Sequence, residues 1–231
     1  ALLRWDLSSI PSTAVVSSAS ISVNVTDTST ADYNMYNMRR AWVEGTEDGG
    51  TSGTGANWPT YDGANNWGTA GAASTTTDRY TDDLWNATSS SFSATGGETV
   101  TLTAAGVGVV QDWIDGGLPN YGVTIQNYSG STNTFYFDSR EIATEANRPT
   151  LNVTYCVIFT GPTILTSGTL TAFSTTPGTP SAAQTYTVSG YLLVDSLLIT
   201  APAGFELSTD GSTYTPSLTL PPSGGTVNST T

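Results

Sequence analysis

From residue 19 to residue 26 the chain alternates without a break. Ala19, Ile21, Val23 and Val25 are apolar, and Ser20, Ser22, Asn24 and Thr26 between them are polar. A period of two sends one set to a core and the other to solvent, which predicts a half-buried strand of an antiparallel sheet. The pattern returns in short pieces. Val100 and Leu102 share a face in 98–103, Val123 and Ile125 in 122–127, Phe135 and Phe137 in 134–139, and Leu151, Val153, Tyr155 and Val157 in 150–158. Residues 2–7 and 35–43 are further strand candidates. A sequence built this way is expected to be all-β.

One stretch departs from the period of two. In 104–116, Val107, Val110 and Ile114 recur at helical spacing, and Gly116-Gly117 ends the run, so a single short helix is expected. Composition agrees with this balance. Charged residues are only 11%, and polarity comes from Thr, Ser, Asn and Gly. Thr favours strands, whereas the Lys that would fill helix surfaces is absent.

The character of the chain shifts near residue 160. Sixteen of the 19 acidic residues and all six arginines precede Cys156. Beyond 158 there is no basic residue, and short strands are predicted at 169–174, 184–189, 192–200, 204–208 and 217–220. Two tandem β-sandwiches are expected, 1–158 with a jelly-roll-like layout and 159–231 with an Ig-like one. Cys156 reads as a small buried or half-buried strand residue.

The absences exclude several chemistries. There is no His and no Lys, so a Ser-His-Asp triad, a Schiff-base lysine, a Walker lysine and an imidazole zinc site are impossible. A net charge of −13 repels nucleic acid. No run of 18 apolar residues suggests membrane insertion. Neither a nucleophile–base pair nor a placed pair of carboxylates stands out, and no enzymatic activity is expected.

Residues 44–98 form a long polar stretch with two candidate sites. Glu44, Glu47, Asp48 and Asp62 are candidate calcium ligands, because calcium takes carboxylate and carbonyl oxygens and glycine-rich loops expose carbonyls; a solvated acidic loop is the plainer reading. Asp78, Asp82 and Asp83 follow, with Arg79 as their local counter-charge. Trp58, Tyr61, Trp67, Tyr80 and Trp85 are a candidate platform for sugar rings, whose apolar faces stack on flat aromatics. The alternative is that these rings are the loop's own small core. Arg140 with Glu141, and Arg148, are expected to brace the last hairpin. Asn-x-Ser/Thr sequons at Asn24, Asn86, Asn127, Asn152 and Asn228 are candidate glycosylation sites.

Several motifs occur in order along the first part. They are residues 2–11 (Leu-Leu-Arg-Trp-Asp-Leu-Ser-Ser-Ile-Pro), Arg40-Ala41-Trp42-Val43-Glu44-Gly45, Val110-Gln111-Asp112-Trp113, Asn120-Tyr121-Gly122, Phe137-Asp138-Ser139-Arg140-Glu141 and Asn147-Arg148-Pro149. On these, residues 1–155 resemble the DNRLRE domain family. The resemblance implies a secreted β-sandwich module of surface proteins, part of whose family binds carbohydrate. The motifs Gly178-Thr179-Pro180-Ser181, 186–190 (Tyr-Thr-Val-Ser-Gly), 201–206 (Ala-Pro-Ala-Gly-Phe-Glu) and Gly224-Gly225-Thr226-Val227 are similar to an Ig-like module repeated in large secreted bacterial proteins.

The first resemblance implies a strand ahead of Leu2, and the second implies one beyond Thr231. A sandwich short of a strand exposes an edge that another chain can fill. The expectation is therefore a non-catalytic extracellular or cell-surface structural protein. Its copies would join head to tail into a filament by donor-strand complementation. Equally, those strands belong to a longer parent chain. The alternative function is a carbohydrate-binding module with an Ig-like spacer from a polysaccharide-active protein. The expected partners are other copies and, in the alternative, polysaccharide; calcium is the one cofactor suggested.

Overall fold

The structure, a computed structural model, describes residues 1–45, 54–85, 91–126 and 133–230. The protein is all-β: among the described residues, thirteen strands form antiparallel sheets beside a single α-helix. The chain divides into two compact units, Ala1–Val157 and Ile158–Thr231.

Unit 1 runs β1 (Leu2–Leu3), β2 (Ala14–Asp27), β3 (Asn34–Met38), β4 (Arg79–Asp83), β5 (Gly96–Thr101), α1 (Ala104–Asp115), β6 (Val123–Gln126), β7 (Tyr136–Phe137) and β8 (Thr150–Val157). One sheet has the order β1-β6-β3-β4. The other is built on β2, with β5 along one edge and β8 then β7 along the other. Ala19, Ile21, Val23 and Val25 are buried against Met35, Val123 and Ile125 of the facing sheet, so the two sheets form a sandwich.

β2 is longer than its clean alternation. Ala14 and Val16 are also buried, but register with β8 shifts between Val16 and Ser18. That bulge inserts one residue and resets the pattern at Ala19. Strands 2–7 and 35–43 prove shorter than expected, Leu2–Leu3 and Asn34–Met38; the second ends where the chain bends at Arg39 and Arg40. Cys156 corrects the sequence reading: its thiol is exposed. It pairs with Val15, itself 43% exposed, on the outward face of the sheet.

The helix starts at Thr103, whose hydroxyl accepts the Gly106 N–H at 3.1 Å, and stops at Gly116 in the left-handed conformation, φ 82°. Its buried face is Gly106, Val110, Trp113 and Ile114, with Val107 only half-buried. Motif residues act as ties within this unit. Trp5 Nε1 donates to the Pro149 carbonyl, and Asn120 Nδ2 to the Trp5 carbonyl. Asp138 accepts from the side chains of Asn24 and Asn147.

Unit 2 runs β9 (Thr163–Ser167), β10 (Thr187–Tyr191), β11 (Leu197–Thr200), β12 (Ser217–Leu220) and β13 (Val227–Thr230). The sheets are β13-β10-β9 and the pair β11-β12. Two expected strands are not formed. Residues 169–174 lie outside any sheet, and Gln184 takes the place of a partner strand: its Oε1 accepts the Thr171 N–H at 2.7 Å and its Nε2 donates to the Thr171 carbonyl at 3.1 Å. Residues 204–208 turn, with Phe205 N–H bonded to Pro202, and only Leu207 bridges Thr215.

Candidate functional site

The sequence candidates fall in the loop layer of unit 1 and at strand positions of both units; the structure adds a cleft in unit 2.

The loop layer grows out of β3. Met35 lies in the main core, while Met38, of opposite parity, is buried in a second cluster with Trp67 and Ala72. Leu2, Trp42, Tyr61 and Tyr121 pack at the margin of that cluster. The long loop thus covers part of the outward face of the β1-β6-β3-β4 sheet.

Asp78 organises the loop. It is fully buried, and its carboxylate accepts the N–H groups of Gly68, Thr69 and Ser74 at 2.9, 3.0 and 3.2 Å and the Thr77 hydroxyl at 3.0 Å. Its cation is Arg40, Nε to Oδ1 3.8 Å, not Arg79 as expected. Arg79 stacks on Tyr36 and donates to the Tyr80 carbonyl. A carboxylate with this many donors is a loop staple. Sequence reasoning missed it, because nothing in the run of aspartates separates Asp78 from Asp82 and Asp83.

The other acids are placed singly. Glu44 meets Arg140 at 2.6 Å, and Arg140 also meets Glu141 at 2.9 Å. Arg148 donates to the Ile142 carbonyl and pairs with Glu145. Asp62 closes a turn, accepting from Asn65 N–H, the Asn65 side chain and Ala64 N–H, and these donors hold its carboxyl below the usual range. Glu47 and Asp48 lie outside the described residues. Among the described residues, no group of three or more carboxylates or thiols is gathered to hold a metal.

The five aromatics do not share a surface. Trp67 is buried, donates from Nε1 to the Asn57 carbonyl and meets Tyr61 edge-on at 5.8 Å. Trp85 belongs to the main core, 4.8 Å from Phe92. The Arg39 guanidinium lies over Tyr80 at 4.1 Å, and that of Arg40 over Tyr61 at 4.3 Å. Only Trp58 is open, 62% exposed. A Cβ on Gly71 would fall 2.6 Å from the Trp58 ring, so the indole rests on bare backbone; Gly71 also sits at φ 76°.

Among the sequons, Asn152 and Asn228 are exposed, and Asn152 Nδ2 reaches the Ser22 hydroxyl at 3.3 Å. Asn24 is half-buried, its amide spent on Asp138 at 2.7 Å. Asn86 and Asn127 lie outside the described residues.

In unit 2 the two sheets share one small core. Among the described residues, the buried core comprises Val188, Leu197 and Val227. Beside it lies an open cleft of about 970 Å³, walled by Val188, Ile199, Leu218 and Leu220 and rimmed by Phe205 and Tyr214. The rim rings are 46% and 44% exposed. Gln184, Glu206 and Ser208 also line the cleft.

Comparison with protein-family models, curated proteins and solved structures finds no match to this chain.

Proposed function

We propose that the chain is a non-catalytic extracellular structural protein, and that unit 2 takes up a β-strand from another copy. The open cleft carries this reading. A two-stranded sheet is marginal in water, and a third strand is the usual remedy. In β11-β12 each strand has one unpaired edge among the described residues, and exposed apolar rings stand beside it. An extended segment laid there would pair its backbone with an edge and bury alternate side chains, as in β-augmentation. Repetition from copy to copy does not close and yields a filament. The absence of Lys and His and the Thr- and Ser-rich composition agree with a scaffold. Electron microscopy and light scattering of the concentrated protein test the proposal. Filaments that Phe205→Arg abolishes, with the circular dichroism spectrum retained, are expected; a monodisperse monomer with both units folded overturns it.

Trp58 favours a second reading, a carbohydrate-binding module. Its ring offers one free face, as sugar stacking requires. A glycan array on the purified chain tests this, with Trp58→Ala losing any signal; silence with the unsubstituted chain removes the reading.

A further inference from the structure

The antiparallel order β1-β6-β3-β4 brings four of the chain's six arginines to one end of one sheet. β1 and β3 finish at that end, and β6 and β4 begin there. Arg4 follows β1, Arg39 and Arg40 follow β3, and Arg79 opens β4. Each guanidinium lies over an aromatic ring: Arg4 on Trp42 at 5.5 Å, Arg39 on Tyr80 at 4.1 Å, Arg40 on Tyr61 at 4.3 Å and Arg79 on Tyr36 at 3.9 Å. Stacking fixes a guanidinium plane and leaves its N–H edge pointing away from the ring.

The four are not equivalent. Arg40 is committed to Asp78 and the Asn66 carbonyl, and Arg79 to the Tyr80 carbonyl. Arg4 and Arg39 are exposed and meet no carboxylate among the described residues. Arg4 and Arg39 are thus two exposed, ring-stacked guanidinium groups without an acidic partner among the described residues, in a chain of net charge −13. Because guanidinium groups cover faces of Tyr61, Tyr80 and Trp42, this end is built to take carboxylate oxygens rather than to stack on sugar rings.

We infer that this end of unit 1 is a docking surface for the acidic surface of a second copy of the chain. The partner follows from charge. Copies carrying −13 repel one another over most of their surface, and this end is where the chain presents free arginine forks to a neighbour's carboxylates. The contact is ionic and lateral in character. It does not depend on the unit 2 cleft, and salt separates the two: apolar strand uptake does not weaken with salt, whereas ion pairs between exposed groups do.

Sedimentation velocity of the full chain carrying Phe205→Arg, which removes the cleft contact, tests the proposal. Raising the ionic strength from about 0.01 to about 1 M shortens the screening length from about 30 to about 3 Å, and self-association is expected to disappear. Arg4→Gln with Arg39→Gln is expected to weaken association at low salt about tenfold, since two exposed ion pairs contribute modestly. An unchanged circular dichroism spectrum confirms that the variant folds. Polyglutamate is expected to compete and neutral dextran not to. Association indifferent to salt or to the double substitution overturns the proposal. So does a chain that binds polygalacturonate but never a second copy.

Discussion

Gln111 completes the backbone of β2 at Val16. Its Oε1 accepts the Val16 N–H at 2.9 Å, and its Nε2 donates to the Ala14 carbonyl at 2.9 Å. Both bonds lie just ahead of the bulge, where register with β8 shifts between Val16 and Ser18, and they dock α1 on the strand it packs against. Gln111→Ala leaves a partly buried donor and acceptor without partners, at about 1–3 kcal/mol for such a group. A fall in denaturation midpoint of that order is expected. Gln111→Glu keeps the acceptor and loses the donor, and should fall between alanine and the natural residue.

Two glycines of α1 respond oppositely to alanine. Gly108 is exposed, and a Cβ there meets nothing within 4 Å; Gly108→Ala should stabilise the protein by about 0.5–1 kcal/mol through helix propensity. Gly106 is buried. A Cβ there would lie 2.8 Å from Leu102 Cβ and 3.1 Å from the Leu84 carbonyl oxygen, so Gly106→Ala should destabilise in spite of the same propensity gain. Thermal melts of the two variants, moving in opposite directions, check the seating of the helix.

Asp78 gives the loop layer its test. Asp78→Ala removes the shared acceptor of three backbone N–H groups and the partner of Arg40. The loss is expected to be about 3 kcal/mol, from several donors at about 1–3 kcal/mol each. Trp67 anchors the same layer, so its fluorescence should shift to the red as the loop opens. Asp82→Ala, at an exposed position on β4, should do neither.

These residues mark where the sequence was readable. The strand at 19–26 was legible because one face is wholly buried, and α1 because its apolar spacing is helical. The start of β2 was hidden by a bulge, which breaks the period without breaking the strand. Residues 169–174 carry strand propensity, yet a strand needs a partner edge, and here a glutamine side chain stands in for one. In the loop, aromatic residues could be counted but not assigned. Trp58 and Trp67 are alike in composition and opposite in burial, because the packing around Met38 and the acceptor role of Asp78 decide which ring turns inward. The arginine end was invisible for the same reason: only the strand order joins Arg4 to Arg39.

Acid should loosen one loop of unit 2 in a defined direction. Asp210 accepts the N–H groups of Thr213 and Ser212 at 2.7 and 2.8 Å and the Ser208 hydroxyl at 2.9 Å. These donors favour the charged form and hold its carboxyl well below the ordinary value of 3.8. A carboxyl depressed in the folded state contributes stability that is present above the unfolded value and lost as pH falls through the folded one. The loop should therefore stay ordered through pH 3.8, where an ordinary aspartate is half protonated, and open only in stronger acid. Carboxyl titration by NMR, with the Thr213 and Ser212 amide shifts as reporters, reads this directly. Asp210→Asn should abolish the acid transition of those amides, and a midpoint at the ordinary aspartate value would show that the turn does not hold the carboxylate.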